Sequence, residues 1–255
     1  MPNLKQRATA PARPRKTPRV VIACPTRGQM PSHTARSLFG IAVWDGLHGS
    51  GYLQHRTPAK WIVGASLVSN ARNKLVEMFL DNEDKPEWLL FLDDDQIYPE
   101  HLVESLMMGV QSVEGETGVK CLTMSVPVWR FFGETDPAVT HNVFDIDDAG
   151  RFKIHEDPLP ENTVVQVAAI GAGCLMVHRE ALERIREVSA EHGFGNQSCW
   201  FRHVAWPNNE GEDLYFCRML IGSQIPLFMT TSVGVLEHVK QVRLTGEAEA
   251  GRFTI

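Results

Sequence analysis

Eight consecutive residues constrain this chain more than any others: Trp88-Leu89-Leu90-Phe91-Leu92, followed at once by Asp93-Asp94-Asp95. Five large apolar residues without alternation fit a strand buried on both faces, the habit of parallel sheets covered by helices. Such a strand delivers the carboxylates to the carboxyl edge of the sheet, where open α/β sheets bind ligands. Carboxylates so spaced suit a hard divalent cation, which takes oxygen ligands and bridges phosphate oxygens. The competing explanation is an acidic helix start before Pro99, stabilised by the helix dipole. The wholly apolar strand in front favours the metal.

The flanking sequence supplies the rest of such a sheet. Val20-Val21-Ile22-Ala23-Cys24 stops at Pro25 and reads as a buried strand feeding a loop. Ala35, Leu38, Phe39, Ala42 and Val43 then fall at helical spacing, and Trp61-Ile62-Val63 is the next strand. Ser69 is placed to cap a helix carrying Ala71, Leu75, Met78 and Phe79, and Pro99 opens another with Leu102, Leu106 and Val110. Alternation of strand and helix to about residue 115 predicts a mostly parallel sheet with helices packed on it. Residues 119–168 change character, with short alternating strands, glycines and prolines. Beyond them the pattern predicts strands over Val164–Ala169 and Cys174–Val177. A helix over Arg179–Ala190 turns Ala181, Ile185 and Val188 inward. A loop follows from Trp200 to Gly211. A helix over Glu212–Ile221 turns Leu214, Cys217 and Ile221 inward, and a strand over Thr231–Leu236 ends the sheet at His238.

At 255 residues the chain suits one sizeable domain. No apolar run approaches the roughly 20 residues that cross a bilayer, and the N-terminus lacks the apolar core of a signal peptide. The five cysteines form no CxxC pair and read as reduced, buried thiols of a cytoplasmic protein. Residues 1–19 carry six basic side chains and no acidic one, so the remainder holds 19 basic against 31 acidic residues. A body at −12 is poorly suited to wrapping nucleic acid. Residues 1–18 are expected to be a disordered basic tail, able to touch a polyanion, and 241–255 a loosely held C-terminal tail.

Three further features carry chemistry. Glu212 and Asp213 follow Gly211 at a helix start, where they either stabilise the helix end or present a general base. Gly171-Ala172-Gly173 lets backbone approach a ligand, although it is no GxGxxG. No GxxxxGK[ST] loop occurs, which argues against a P-loop. A lone His238 near a strand end is more commonly structural, yet its imidazole suits a metal begun by the aspartates.

Taken in order, these segments resemble a known family. Pro25-Thr26-Arg27, Asn70-Ala71-Arg72-Asn73, Leu92 to Asp95, Gly171 to Met176, Gly211 to Phe216 and Glu237-His238 look like the motif series of GT-A glycosyltransferases, specifically the family-two-like group of bacteria and phages. The resemblance covers roughly residues 18–240. It implies one glycosyltransferase domain over 19–240, with a Rossmann-like, mostly parallel sheet flanked by helices and a small mixed or antiparallel acceptor-side region. It further implies that Pro25, Thr26 and Arg27 line the nucleotide pocket, that Asn70 and Arg72 lie beside the donor's base or phosphates, and that Gly171, Ala172 and Gly173 face the sugar. Asp93 and Asp95 would be the DXD pair, Asp93 near ribose and metal and Asp95 on the metal. Asp94 takes the variable place, and the triplet admits a shift of one. His238 would be the last metal ligand, Asp213 the catalytic base, and Glu212 would position the acceptor. The variable residues 126–165 would shape the acceptor site.

The expected reaction is transfer from a nucleoside diphosphate sugar, UDP by default, to an acceptor hydroxyl with inversion, assisted by Mn²⁺ or Mg²⁺. The acceptor is open among protein, glycan and modified nucleic acid. Trp129, Trp200 and Trp206 are candidates for stacking on sugar, with at least one expected in the core. Two alternatives use the same residues: a nucleotidyltransferase acting on sugar phosphates, which should show a basic Gly-rich loop after the first strand, and a non-catalytic nucleotide-sugar-binding module. A phosphatase of the haloacid dehalogenase type expects Asp-x-Asp-x-Thr/Val, which Ile97 after Gln96 does not match.

Overall fold

The computed structural model describes residues 17–26, 28, 30–48, 51–53, 59–63, 67–132, 138–191, 200–204 and 210–239. Arg27, Cys199, Trp206, residues 1–16 of the N-terminal tail and the C-terminal tail 241–255 lie outside them.

The first half alternates as its pattern predicts: β1 (Val20–Thr26), α1 (Ser32–His48), β2 (Ala59–Val63), α2 (Val68–Leu80), β3 (Trp88–Leu92), β4 (Gln96–Ile97) and α3 (Leu102–Thr117). The second half holds β5 (Thr123–Ser125), β6 (Trp129–Phe132), β7 (Ala138–His141), β8 (Val143–Ile146), β9 (Phe152–Ile154), β10 (Val164–Val167), β11 (Ala169–Ile170) and β12 (Cys174–His178). It closes with α4 (Arg179–Glu191), α5 (Glu212–Gly222), β13 (Leu227–Thr230) and β14 (Glu237–His238).

The main sheet has seven strands in the order β10-β13-β5-β12-β3-β1-β2. β1 pairs in parallel with β2 and β3, and β13 with β5, while β12 and β10 run antiparallel to their neighbours. Five strands therefore share one direction. β3 is buried along its whole length, and its side chains divide between two cores. Trp88, Leu90 and Leu92 face α1 and α3, whereas Leu89 and Phe91 face α2, α4 and α5. An unbroken apolar run thus serves both faces, each fully buried side chain contributing about 1.5–3 kcal/mol.

Four local expectations are corrected. Ser69 does not cap α2: Leu67 holds the cap position with no side-chain bond, and Ser69 is buried inside the first turn. The buried face of α1 is Thr34, Ser37, Leu38, Ile41 and Asp45, leaving Phe39 71% exposed. Two of its polar side chains are satisfied locally, since Ser37 donates to the Thr34 carbonyl (2.9 Å) and Asp45 accepts from the Tyr52 and Leu53 amides (2.9 and 3.1 Å), while the buried Thr34 hydroxyl has no partner among the described residues. α5 buries Phe216, Cys217 and Leu220 rather than Ile221. Finally, the last strand of the main sheet is β13, not 231–236. Thr231 to Gly234 form a turn, closed by Gly234 N–H on the Thr231 carbonyl (3.0 Å) with Gly234 at φ 73°. Cys24, Cys121, Cys174 and Cys217 are free and buried, and no described helix is long and apolar enough to cross a membrane.

Candidate active site

The aspartate turn is pinned to the glycine loop before any ligand is considered. β3 pairs with β12 through Leu92↔Cys174, and the Asp93 amide donates to the Gly173 carbonyl (3.1 Å). The buried Tyr98 hydroxyl donates to the Asp93 carbonyl (2.8 Å), with the Gly173 carbonyl at 3.1 Å. β1 ends beside this turn. Burial pushes the Cys24 thiol up, and Asp94, Asp93 and Asp95 push it further. Pro25 and Thr26 therefore close β1 at the aspartate edge, where the Thr26 hydroxyl accepts from the Gly28 amide (3.0 Å).

His238 reaches the site through a two-stranded ladder. β14 pairs with β4 (Glu237↔Ile97, His238↔Gln96), and the Val239 amide donates to the Asp95 carbonyl (2.6 Å). His238 Nε2 then lies 3.1 Å from Asp95 Oδ2. Asp93 is disposed differently. Arg72, 3% exposed on α2, places Nη2 at 2.7 and 3.0 Å from the two Asp93 oxygens and Nη1 at 2.6 Å from Glu212 Oε1. Burial opposes the guanidinium charge, and Asp93, Glu212 and Asp213 more than restore it. Asp93 itself is raised above the usual carboxylate value by burial, with Arg72 pulling the other way.

Glu212 and Asp213 open α5 behind Gly211, in the first turn, where the helix end favours negative charge. Asp213 Oδ1 accepts from the Leu214 amide (2.8 Å). Burial and then Glu212 raise the Asp213 carboxyl, opposed by Arg72, the Leu214 amide and Arg130. A carboxylate raised in this way is better matched to proton abstraction near neutrality.

The glycines are required by crowding. A Cβ on Gly171 would lie 2.6 Å from Asn142 Nδ2 and 3.2 Å from Asp213 Oδ2, and one on Gly211 would lie 2.9 Å from Asp213 Oδ1. A Cβ on Gly173 would overlap the Gln96 carboxamide.

Arg72, Asp93, Asp95, Glu212, Asp213 and His238 all line one cavity of about 650 Å³, together with the loop Gly171-Ala172-Gly173. The same lining holds an apolar and aromatic group, Val128, Trp129, Phe144, Phe152 and Ile154, with Arg130 beside Trp129 in sequence. Trp129 is 39% exposed there, whereas Trp200 is a core residue whose indole N–H donates to the Leu182 carbonyl (2.9 Å). Asn70 is exposed in the first turn of α2 and does not line the cavity, and neither do Pro25, Thr26 and Asp94. Among the described residues no group of three His, Cys, Asp or Glu side chains is arranged to hold a metal ion. Asp95 and His238 nevertheless offer an oxygen and a nitrogen at 3.1 Å, close to the ~3 Å between neighbouring ligands of an octahedral ion with ~2.1 Å bonds.

Sequence reasoning missed Gln96, Arg130 and Asn142. Gln96 had a signal, being the residue directly after the triplet. Asn142, 7% exposed between the β7 and β8 strands, had only its polarity.

A mostly parallel sheet with carboxylates at its carboxyl edge, an antiparallel strand inserted beside them and a crossing two-stranded ladder defines a GT-A-like glycosyltransferase fold. No protein-family model and no curated protein sequence matches the chain. Among solved structures, GalNAc-T7 with UDP, GalNAc and Mn²⁺ is similar with a TM-score of 0.53 at 10% identity, over 90% of this chain and 45% of that one. A197 from STIV gives 0.47 at 14% identity, over 90% and 99% of the two chains. A glycosyltransferase involved in the glycosylation of the major capsid of PBCV-1 gives 0.43 at 13%, over 89% and 95%.

Proposed function

We propose that this protein is a glycosyltransferase that moves a sugar from a nucleoside diphosphate sugar to an acceptor hydroxyl with inversion at the anomeric carbon. The observation that carries the reading is convergence. A raised carboxyl on Asp213, the Asp95–His238 pair and the Arg72 clamp come from distant parts of the chain and line one cavity at the ligand edge of a GT-A-like sheet. UDP is the first nucleotide to test, since GalNAc-T7 was crystallised with it and with Mn²⁺.

Asp213 accepts the hydroxyl proton as the acceptor oxygen attacks the anomeric carbon, and the bond to the diphosphate oxygen breaks with its electron pair leaving on the nucleotide. Arg72 holds Asp93 and Glu212 in place beneath the donor and acceptor. Gly171 and Gly173 leave room for the sugar against the backbone. Asp95 and His238 would hold Mn²⁺ or Mg²⁺, which when bound neutralises charge on the departing diphosphate. In this reading the nucleotide end of the site extends beyond the cavity towards the end of β1 at Pro25 and Thr26, and the aromatic side chains of the lining serve the acceptor.

The test is thermal unfolding with a panel of nucleotide sugars, with and without Mn²⁺. A ligand at 100 times Kd adds about 2.7 kcal/mol, visible as a raised Tm. A Mn²⁺-dependent rise with one donor supports the reading. No rise with any donor, from folded protein, counts against it.

A further inference from the structure

Asn142 is fastened on every side but one. Its amide donates to the Val128 carbonyl (3.0 Å), its carbonyl accepts from the Gly171 amide (2.9 Å), and its Oδ1 accepts from the Val128 amide (2.8 Å). A backbone N–H can only donate, so the Val128 contact fixes which end of the carboxamide is oxygen. Nδ2 is left without an acceptor among the described residues. The residue is 93% enclosed and lines the cavity. Nδ2 and Asp213 Oδ2 lie 2.6 and 3.2 Å from the same point, the position a Gly171 Cβ would occupy. Asn142 Nδ2 and Asp213 Oδ2 therefore stand within about 6 Å of each other beside the Gly171 backbone, near enough for one hydroxyl in the cavity to meet a donor and an acceptor.

We propose that Asn142 is the second contact to the nucleophile: its Nδ2–H donates to the oxygen of the acceptor hydroxyl while that hydroxyl donates to Asp213. The inference rests on the reading of Asp213 as the base. A hydroxyl has one proton and two lone pairs. Its proton goes to Asp213, one lone pair takes the Asn142 N–H, and the other forms the bond to the anomeric carbon as the diphosphate leaves. A neutral amine has one lone pair, and if Asn142 takes it none remains to attack. Asn142 and Asp213 together therefore select oxygen over nitrogen nucleophiles.

The distinguishing variant is Asn142→Asp, which keeps an oxygen for the Val128 amide and replaces the N–H donor by a second carboxylate oxygen. The assay is nucleotide release from a panel of UDP-sugars with Mn²⁺, water serving as the hydroxyl. We expect N142D to fold with a Tm lowered by the second carboxylate and to keep its KM for the donor, while kcat falls about 100-fold or more, the usual loss for one preorganised donor. The acid limb of its pH profile also moves up, because the new carboxylate faces Asp213. The limb moves whatever role Asn142 has, so the deciding readout is kcat above it: a bracing role alone would leave that kcat unchanged, and N142D turning over there at the wild-type rate overturns the inference while leaving glycosyl transfer standing. Wild-type protein that releases nucleotide from no donor overturns both. If N142D does not fold, N142A and D213N are compared singly and together: non-additive losses support a shared hydroxyl, and additive losses overturn it.

Discussion

Replacing Arg72 by Met keeps the length of the side chain and removes its charge. The structure fixes what is left behind. Asp93 and Glu212 lose a partner at 2.7 and 2.6 Å, and Asp213, which Arg72 also stabilises as the anion, loses a neighbouring cation. Breaking a buried ion pair costs about 3–5 kcal/mol, most of it the charge left uncompensated. The Asp93 and Glu212 side chains keep 26% and 19% exposure to the cavity, so water screens part of the loss and the lower end, about 3 kcal/mol, is expected. At about 2–4 °C per kcal/mol, Tm falls by roughly 6–12 °C. The pH dependence has a definite sign. Asp93 and Asp213 are already raised above 3.8 in the folded protein. A carboxyl raised on folding gives stability that is present when protonated and lost as pH climbs through its folded value. Without Arg72 both rise further, so the deficit of R72M is largest at pH 8 and shrinks as pH falls towards 5. Chemical denaturation of both proteins at the two pH values measures this. A deficit below about 1 kcal/mol at pH 8, or one that does not change with pH, refutes the reasoning.

Other outcomes follow from the same geometry. Asp213→Asn should lower turnover by about 10²–10⁴-fold while leaving the donor-induced Tm shift in place, and full turnover in D213N would remove Asp213 from the chemistry. In the wild type, turnover should rise with pH through a value above the ordinary 3.8 of an Asp, because burial and Glu212 raise the base; a rate flat down to pH 4 contradicts this. His238→Ala should abolish the Mn²⁺-dependent part of donor stabilisation and leave any metal-independent part, which calorimetric titration of UDP with and without Mn²⁺ separates. Gly173→Ala should destabilise by about 1–3 kcal/mol, since its methyl meets the Gln96 carboxamide in a buried site, and an unchanged denaturation midpoint would show that Gln96 can move aside.

What was legible in the sequence depended on the range of the interaction behind it. β3 was readable because a strand covered on both faces needs every residue apolar, and that is a local pattern. Gly211-Glu212-Asp213 was readable because capping and dipole preferences act within one helical turn. The burial faces of α1 and α5 were misjudged for the converse reason. Polar Ser37 and Asp45 occupy the inner face of α1 because partners in the turn and in residues 52–53 satisfy them. Hydrophobic spacing carries no sign of that.

The clamp illustrates the limit most sharply. Arg72 joins residues 21 and 140 positions away in sequence, and its buried charge is tolerable only because both carboxylates arrive together. Asn73, next to it, fixes the other side of the junction. Its Oδ1 accepts from the Trp200 and Phe201 amides (3.1 and 3.0 Å), and its Nδ2 donates to the Phe201 carbonyl (2.8 Å). Phe201 in turn stacks on Phe216 of α5 (4.6 Å between centroids) and stands edge-on to Phe91 of β3 (5.3 Å). Adjacent residues of α2 therefore set two relations at once: Arg72 sets the charges of the site, and Asn73 sets the position of the helix that presents Asp213. Arg72, which the resemblance places beside the donor, forms with Asn73 the joint between the aspartate strand and the helix that carries Asp213. This explains why a polar pair sits on a helix face that otherwise buries Ala71, Leu75, Val76 and Phe79.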